Sequence, residues 1–132
     1  NDDKSFTTKE VLNICQEIKA PMVLDVHHNN CNNGGDDLEP MIKDIFETWE
    51  GQPLPPKVHF SSPKTGEKDK KHADYLDAAS FIEFIEKCIP LGIDFDILIE
   101  AKLADVAFFK LLEDVKVFKP EWTWLDKTTI EF

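Results

Sequence analysis

Arginine is absent from the 132 residues, and all fifteen basic side chains are lysines. Any phosphate contact must therefore come from lysine, backbone N–H groups or metal. Positive charge is also outweighed: 26 acidic residues against 15 basic ones leave a formal charge of −11. That balance argues against general attraction to nucleic acid, although a local basic patch or a metal cluster reverses the field within one cleft. Long hydrophobic runs are missing too. The longest fall far short of the roughly 20 apolar residues of a membrane helix, so no membrane partner is expected. The chain opens on Asn1-Asp2-Asp3-Lys4 with neither an initiating methionine nor an apolar leader. It reads as an excised piece of a cytoplasmic protein. Only three cysteines are present, Cys15, Cys31 and Cys88, at unrelated spacings, which suits reduced thiols better than a disulfide framework. Cys15 and Cys88 fall on apolar faces of predicted helices, whereas Cys31 is expected to be exposed in a polar loop.

The most informative stretch is Pro21-Met22-Val23-Leu24-Asp25-Val26-His27-His28-Asn29-Asn30. Its apolar part predicts a buried strand over 22–27, started by a proline that needs no ladder partner. Asp25 sits within the end of that strand, where an unpaired carboxylate costs several kcal/mol to bury. His28 follows three residues on, and Gly34 and Gly35 close the loop. Asp25 is expected to precede a loop and not a helix, which disfavours a capping role. A buried strand ending in Asp-x-x-His presents ligands at the carboxyl end of an α/β sheet.

Around it the elements alternate. Thr7 and Glu10 form a capping box before a helix over 8–19, with Val11, Ile14, Cys15 and Ile18 at helical spacing. A second helix covers 38–48, ended by Gly51 and the prolines at 53, 55 and 56. Lys57 to Ser62 is a second strand, residues 63–71 a lysine-rich loop, and 76–88 a third helix. Phe95 to Glu100 is a third strand, and Asp105 is expected to cap a last helix through about Glu113. Beyond it, only aromatic packing is foreseen for the tail. Strands alternating with helices mean parallel β/α units. The expected fold is α/β, the C-terminal portion of a (β/α)8 TIM barrel, with about three parallel strands alternating with four helices in one domain over 1–132.

Every unusual polar residue falls at or just beyond the carboxyl end of a strand. Asp25 and His28 follow the first, Lys57 and His59 share a face of the second, and His72 lies past the loop after it. Asp96 and Glu100 share a face of the third. Individually, bland readings compete: turn histidines, a solvated strand start at Lys57, a structural Asp96, a solvated loop from Lys64 to Lys71, packing tryptophans at 49, 122 and 124. Gathered at one rim by strand phase, two carboxylates, three imidazoles and a lysine point to a metal site. Mixed Asp, Glu and His ligands suit Mn²⁺ or Zn²⁺ more than Mg²⁺ or copper.

Asn1-Asp2-Asp3, Leu24-Asp25-Val26-His27-His28-Asn29, Pro56-Lys57-Val58-His59-Phe60-Ser61-Ser62, His72-Ala73-Asp74-Tyr75 and Ile99-Glu100-Ala101-Lys102, in that order, resemble the UV damage endonucleases. The resemblance implies a barrel similar to endonuclease IV and the xylose isomerase-like superfamily. It also implies a cluster of two or three Mn²⁺ ions and nicking of damaged double-stranded DNA 5′ to a photolesion or abasic site. Carried over by residue, Asp25, His28, His59, His72 and Glu100 are implied metal ligands, with Lys57 a ligand once carboxylated. Lys57 and Glu100 are the implied catalytic residues, and Lys64, Lys68, Lys70 and Lys71 implied DNA contacts. In the family a bridging glutamate stands just before the Asn-Asp-Asp stretch, and an N-terminal half carries further ligands. This polypeptide alone is therefore expected to be inactive and to hide open sheet edges by forming a homo-oligomer. Two rivals stand beside this reading: a metal-dependent sugar isomerase or epimerase on the same barrel, and a non-catalytic, self-associating half-barrel.

Overall fold

The computed structural model describes residues 1–131. Its centre is a three-stranded parallel sheet in the order β1 (Leu24–Asp25), β2 (Lys57–Ser61), β3 (Asp96–Glu100). The parallel order expected from the helix–strand rhythm is present. Register pairs Leu24 with Val58, Asp25 with His59, and Lys57 through Ser61 with Asp96 through Glu100. Because side chains alternate across a strand, Leu24, Val58, Phe60, Ile97 and Ile99 turn to the apolar side and join the core. Lys57, His59, Ser61, Asp96, Leu98 and Glu100 take the other face.

The apolar side is covered by α1 (Thr8–Ile18), α3 (Glu39–Glu47), α4 (Ala78–Cys88) and α5 (Ala104–Phe118). Thr7 caps α1 with the foreseen box, its Oγ1 accepting the Glu10 N–H at 3.3 Å while Glu10 Oε2 accepts the Thr7 N–H at 2.9 Å. Ile42, Ile45 and Phe46 from α3, Ile82 and Ile85 from α4, and Ala107, Leu111 and Val115 from α5 fill the core. Phe60 meets Phe81 edge-on at 5.2 Å, and Phe46 packs on Phe95 at 4.9 Å.

The structure departs from expectation in several places. The strand predicted over 22–27 is only two residues long, and a short helix, α2 (Val26–Cys31), begins at once. The Met22 backbone is taken by α3, its N–H donating to Thr48 Oγ1 at 2.9 Å and its carbonyl accepting Trp49 Nε1 at 2.7 Å. Those groups are spent before a ladder can use them. Asp25 is the α2 N-cap, accepting the His28 N–H at 2.8 Å, so the carboxylate does precede a helix. Asp105 does not cap α5: Leu103 holds that position, and Asp105 lies in the first turn. The helix runs on to Phe118 because Val115 is buried beneath it. The tail forms an antiparallel hairpin, β4 (Thr123–Trp124) and β5 (Ile130–Glu131). Cys88 is buried as expected and Cys15 is half-buried, whereas Cys31, expected exposed in a polar loop, is half-buried as the last residue of α2; all three are free.

No helix among the described residues is long and apolar enough to cross a membrane.

Candidate metal centre

Three strands deliver one ligand each to the same rim. Asp25 ends β1, His59 lies beside it in register, and Glu100 ends β3 on the same face. His59 Nδ1 is 3.0 Å from Glu100 Oε1. One ligand atom from each of Asp25, His59 and Glu100 lies within 4.8 Å of the others. Two ligands facing each other across one ion with bonds of about 2.2 Å stand about 4.4 Å apart. The three side chains thus form a candidate cation site whose widest separation exceeds that span by only a few tenths of an ångström. Two carboxylates with imidazole are a donor set for a borderline divalent ion.

Two more imidazoles border this group. Asp25 Oδ2 is 3.3 Å from His28 Nδ1, so both oxygens of that nearly buried carboxylate are engaged by one residue. His72 arrives from the loop after β2, its Nδ1 3.7 Å from Glu100 Oε2. The Glu100 carboxylate thus stands between His59 and His72. Lys57 is placed differently. It shares the face of His59 one step nearer the start of β2, and its Nζ is 2.5 Å from Asp96 Oδ2. An ammonium so paired offers no lone pair to a metal.

The lysine-rich loop rises beside the rim. A bridge between Pro63 and His72, and hydrogen bonds from Ala73 N–H to Ser62 carbonyl at 2.9 Å and Lys64 N–H to Lys71 carbonyl at 2.8 Å, close its stem. Asp69 folds back on its own loop, accepting from Thr65 Oγ1 at 2.6 Å and the Lys71 N–H at 3.1 Å. The Thr65 hydroxyl and then the Lys71 N–H hold that carboxyl below its ordinary value. Lys70 Nζ sits 3.5 Å from Asp3. A cleft of about 500 Å³ opens between this loop, the segment after α2 and α4, with Lys68, Asn33 and Ser61 in its wall.

Three residues of the site escaped the sequence reading. The Asn1 side chain brackets Asp25, donating to its carbonyl at 3.0 Å and accepting its N–H at 3.1 Å. It thereby supplies on the open side of β1 the bonds a neighbouring strand would make. Ser61, opposite Glu100 in register, buries a hydroxyl without a partner among the described residues; its period-two spacing from His59 was the available signal. His27 is fully buried, its Nδ1 has no partner among the described residues, and its Nε2 has only Cys31 Sγ at 4.0 Å. An unsatisfied buried polar group costs about 1–3 kcal/mol. Burial, then the neighbouring His72 ring, holds His27 below the ordinary imidazole value and hence neutral.

Fold and site together define part of an α/β barrel whose strand ends gather side chains of metal-ligating type. The family model of UV-endonuclease UvdE matches residues 1–132, and the chain belongs to that family. The UV DNA damage endonuclease of Halalkalibacterium halodurans is 39% identical over 133 residues, which are 100% of this chain and 41% of that protein. One from Bacillus cereus is 40% identical over 115 residues, 87% of this chain and 36% of that protein. The crystal structure of SacUVDE matches with a TM-score of 0.70 at 29% identity, over 92% of this chain and 38% of that one. The chain spans about two fifths of the length of the relatives it matches.

Proposed function

We propose that the protein carrying this chain is a DNA repair endonuclease that nicks damaged duplex DNA 5′ to UV photolesions or abasic sites. The observation that carries this reading is the convergence of Asp25, His59 and Glu100 at one rim, in a chain of the UvdE family. A divalent cation held there, Mn²⁺ by preference, supplies Lewis acidity toward phosphate and lowers the pKa of water. The side chains provide the rest. Asp25 and Glu100 bring carboxylates to the rim, and His28, His59 and His72 add imidazole nitrogens. Glu100 faces two rings at once, its oxygens 3.0 Å from His59 Nδ1 and 3.7 Å from His72 Nδ1.

Lys57 would join the ligands only as a carbamate, formed when its ammonium leaves Asp96, gives up its proton to solvent and adds as the free amine to dissolved CO2, releasing a second proton. Intact-mass measurement at neutral pH, with Asp96→Asn as comparison, detects that adduct. Lys64, Lys68, Lys70 and Lys71 contact the DNA backbone. The 132 residues form the C-terminal part of the barrel domain of a cytoplasmic protein. Alone they are inactive, and a second copy covers the open edges at β1 and β3.

The test is a nicking assay with the full-length protein on a duplex carrying a single photolesion, with and without Mn²⁺. Cleavage 5′ to the lesion, abolished in His59→Ala, supports the proposal. Intact DNA together with interconversion of an aldose and a ketose would overturn it in favour of a sugar isomerase. Duplex binding across a salt series addresses the lysines: each true phosphate contact removed lowers the slope of log K against log salt by about 0.9.

A further inference from the structure

The ligands around Glu100 are not held equally well. Asp25, His59 and Glu100 are fixed by the sheet ladder, and His28 by the α2 cap. His72 comes from a loop stem whose backbone is tied by the Pro63 bridge, by the Lys64–Lys71 and Ala73–Ser62 hydrogen bonds, and by the Lys102 N–H on the Ala73 carbonyl at 3.1 Å. Nothing in those ties sets the His72 ring. Its Nδ1 faces Glu100 Oε2 only at 3.7 Å, and its flank rests on His27, edge-on, with centroids 5.6 Å apart and planes at 81°.

His27 is itself immobile. It lies in the first turn of α2, behind the Asp25 cap, and is fully buried. Two residues further along, Asn29 Oδ1 accepts from Thr8 Oγ1 at 2.7 Å, which fastens α2 to α1 in the interior. The Cys31 sulfur backs the ring at Nε2, 4.0 Å away. One buried imidazole therefore touches the short helix on one side and the His72 stem on the other.

We propose that His27 is a positioning residue: its ring seats His72 at the metal rim and couples α2 to the lysine-rich loop. It ligates nothing itself, and the proposal rests on the metal reading above. Surroundings of this kind, which orient a ligating imidazole, change metal affinity by about 10–100-fold when removed.

The chain holds four histidines, so its ring signals are separable by NMR. In the unmodified chain, with chelator present, nuclear Overhauser contacts between the His27 and His72 rings are expected. His27→Ala is expected to shift the His72 ring signals and lower Mn²⁺ affinity about tenfold by calorimetry. His27→Phe, which keeps a flat edge in the same place, is expected to recover most of that affinity. Absence of the ring-to-ring contact in the unmodified chain overturns the proposal even if both variants fail to fold. So do unmoved His72 signals in His27→Ala, or a His27→Phe variant as weak as His27→Ala. Asp25→Ala serves as control. If the unmodified chain binds Mn²⁺ no better than that control, the metal reading itself falls, while the ring contact is still decided by NMR.

Discussion

Asp25 is the α2 cap and a candidate metal ligand, and two substitutions separate the one from the other. It caps α2 through a 2.8 Å hydrogen bond from the His28 N–H, and it offers a ligand oxygen within 4.8 Å of those of His59 and Glu100. Asparagine caps a helix about as well as aspartate, whereas alanine loses about 1 kcal/mol. Both substitutions remove the anion. Two like charges at 4.8 Å repel by roughly 0.9–3.5 kcal/mol between effective dielectrics of 80 and 20. Glu100 is about a third exposed, which places the true figure near the lower end. That relief is common to both variants and cancels in their difference.

Without metal, the Asp25→Ala variant should therefore melt about 3–5 °C below Asp25→Asn in a chain of 132 residues. Mn²⁺ at about 100 times its dissociation constant adds about 2.7 kcal/mol to the unmodified chain, or about 8–13 °C on the same scale. Neither variant should gain that increment. The assay is thermal unfolding followed by circular dichroism, in chelator and then in Mn²⁺. Equal melting of the two variants in chelator would refute the cap. A full Mn²⁺ increment in Asp25→Asn would refute the ligand.

Two further outcomes follow from groups outside the centre. Burial pushes the Cys88 thiol up to about 12, so at pH 8 it is almost wholly protonated and inert. Iodoacetamide labelling read by peptide mass spectrometry should reach the half-buried Cys15 at once and Cys88 only after denaturant is added; equal rates would contradict the packing around α4. Asp126 accepts the Thr128 and Thr129 N–H groups at 2.8 and 2.9 Å, and these bonds, the Thr128 N–H foremost, hold its carboxyl below the ordinary 3.8. A depressed folded value gives stability present above the unfolded value and lost as pH falls through the folded one. The β4–β5 hairpin should thus loosen below about pH 4, seen as a change in tryptophan fluorescence that Asp126→Asn no longer shows; a pH-independent signal in the unmodified chain would count against it.

Strand phase was readable because alternation is a local property. Lys57 to Ser61 alternates polar and apolar side chains, and Asp96 and Glu100 flank an apolar Ile97-Leu98-Ile99 at even spacing, so once the strands are taken as parallel neighbours His59 and Glu100 fall on one face. The α1 box was readable for the same reason, since Thr7 and Glu10 are neighbours in sequence. What stayed hidden depended on distant partners. Val26-His27-His28-Asn29-Asn30 has little helical propensity, and α2 forms because Asp25 caps it and Thr8 anchors Asn29. The shortening of β1 follows from Thr48 and Trp49, more than twenty residues away. The Lys57–Asp96 pair needed the β2–β3 register as well as the face. His27 and His28 looked like one polar turn, yet the first is wholly buried and the second only partly so.

A net charge of −11 looks ill suited to a polyanionic substrate, but the charge is not spread evenly. Residues 64–71 hold four lysines against Glu67 and Asp69, a local balance of +2, which leaves −13 for the rest. Asp69 accepts hydrogen bonds from Thr65 and Lys71 within the loop, and of the four lysines Lys70 faces Asp3 while Lys64, Lys68 and Lys71 are exposed. The acids of the rim, Asp25 and Glu100, are the ones a divalent cation would neutralise. Interactions between exposed charges fade over about 8 Å at physiological salt, so distant carboxylates scarcely weigh on this rim. Charge near the scissile phosphate, and not the sum over the chain, sets the field a substrate meets. A loop bearing +2 beside a cation-neutralised rim is compatible with DNA even on so acidic a protein.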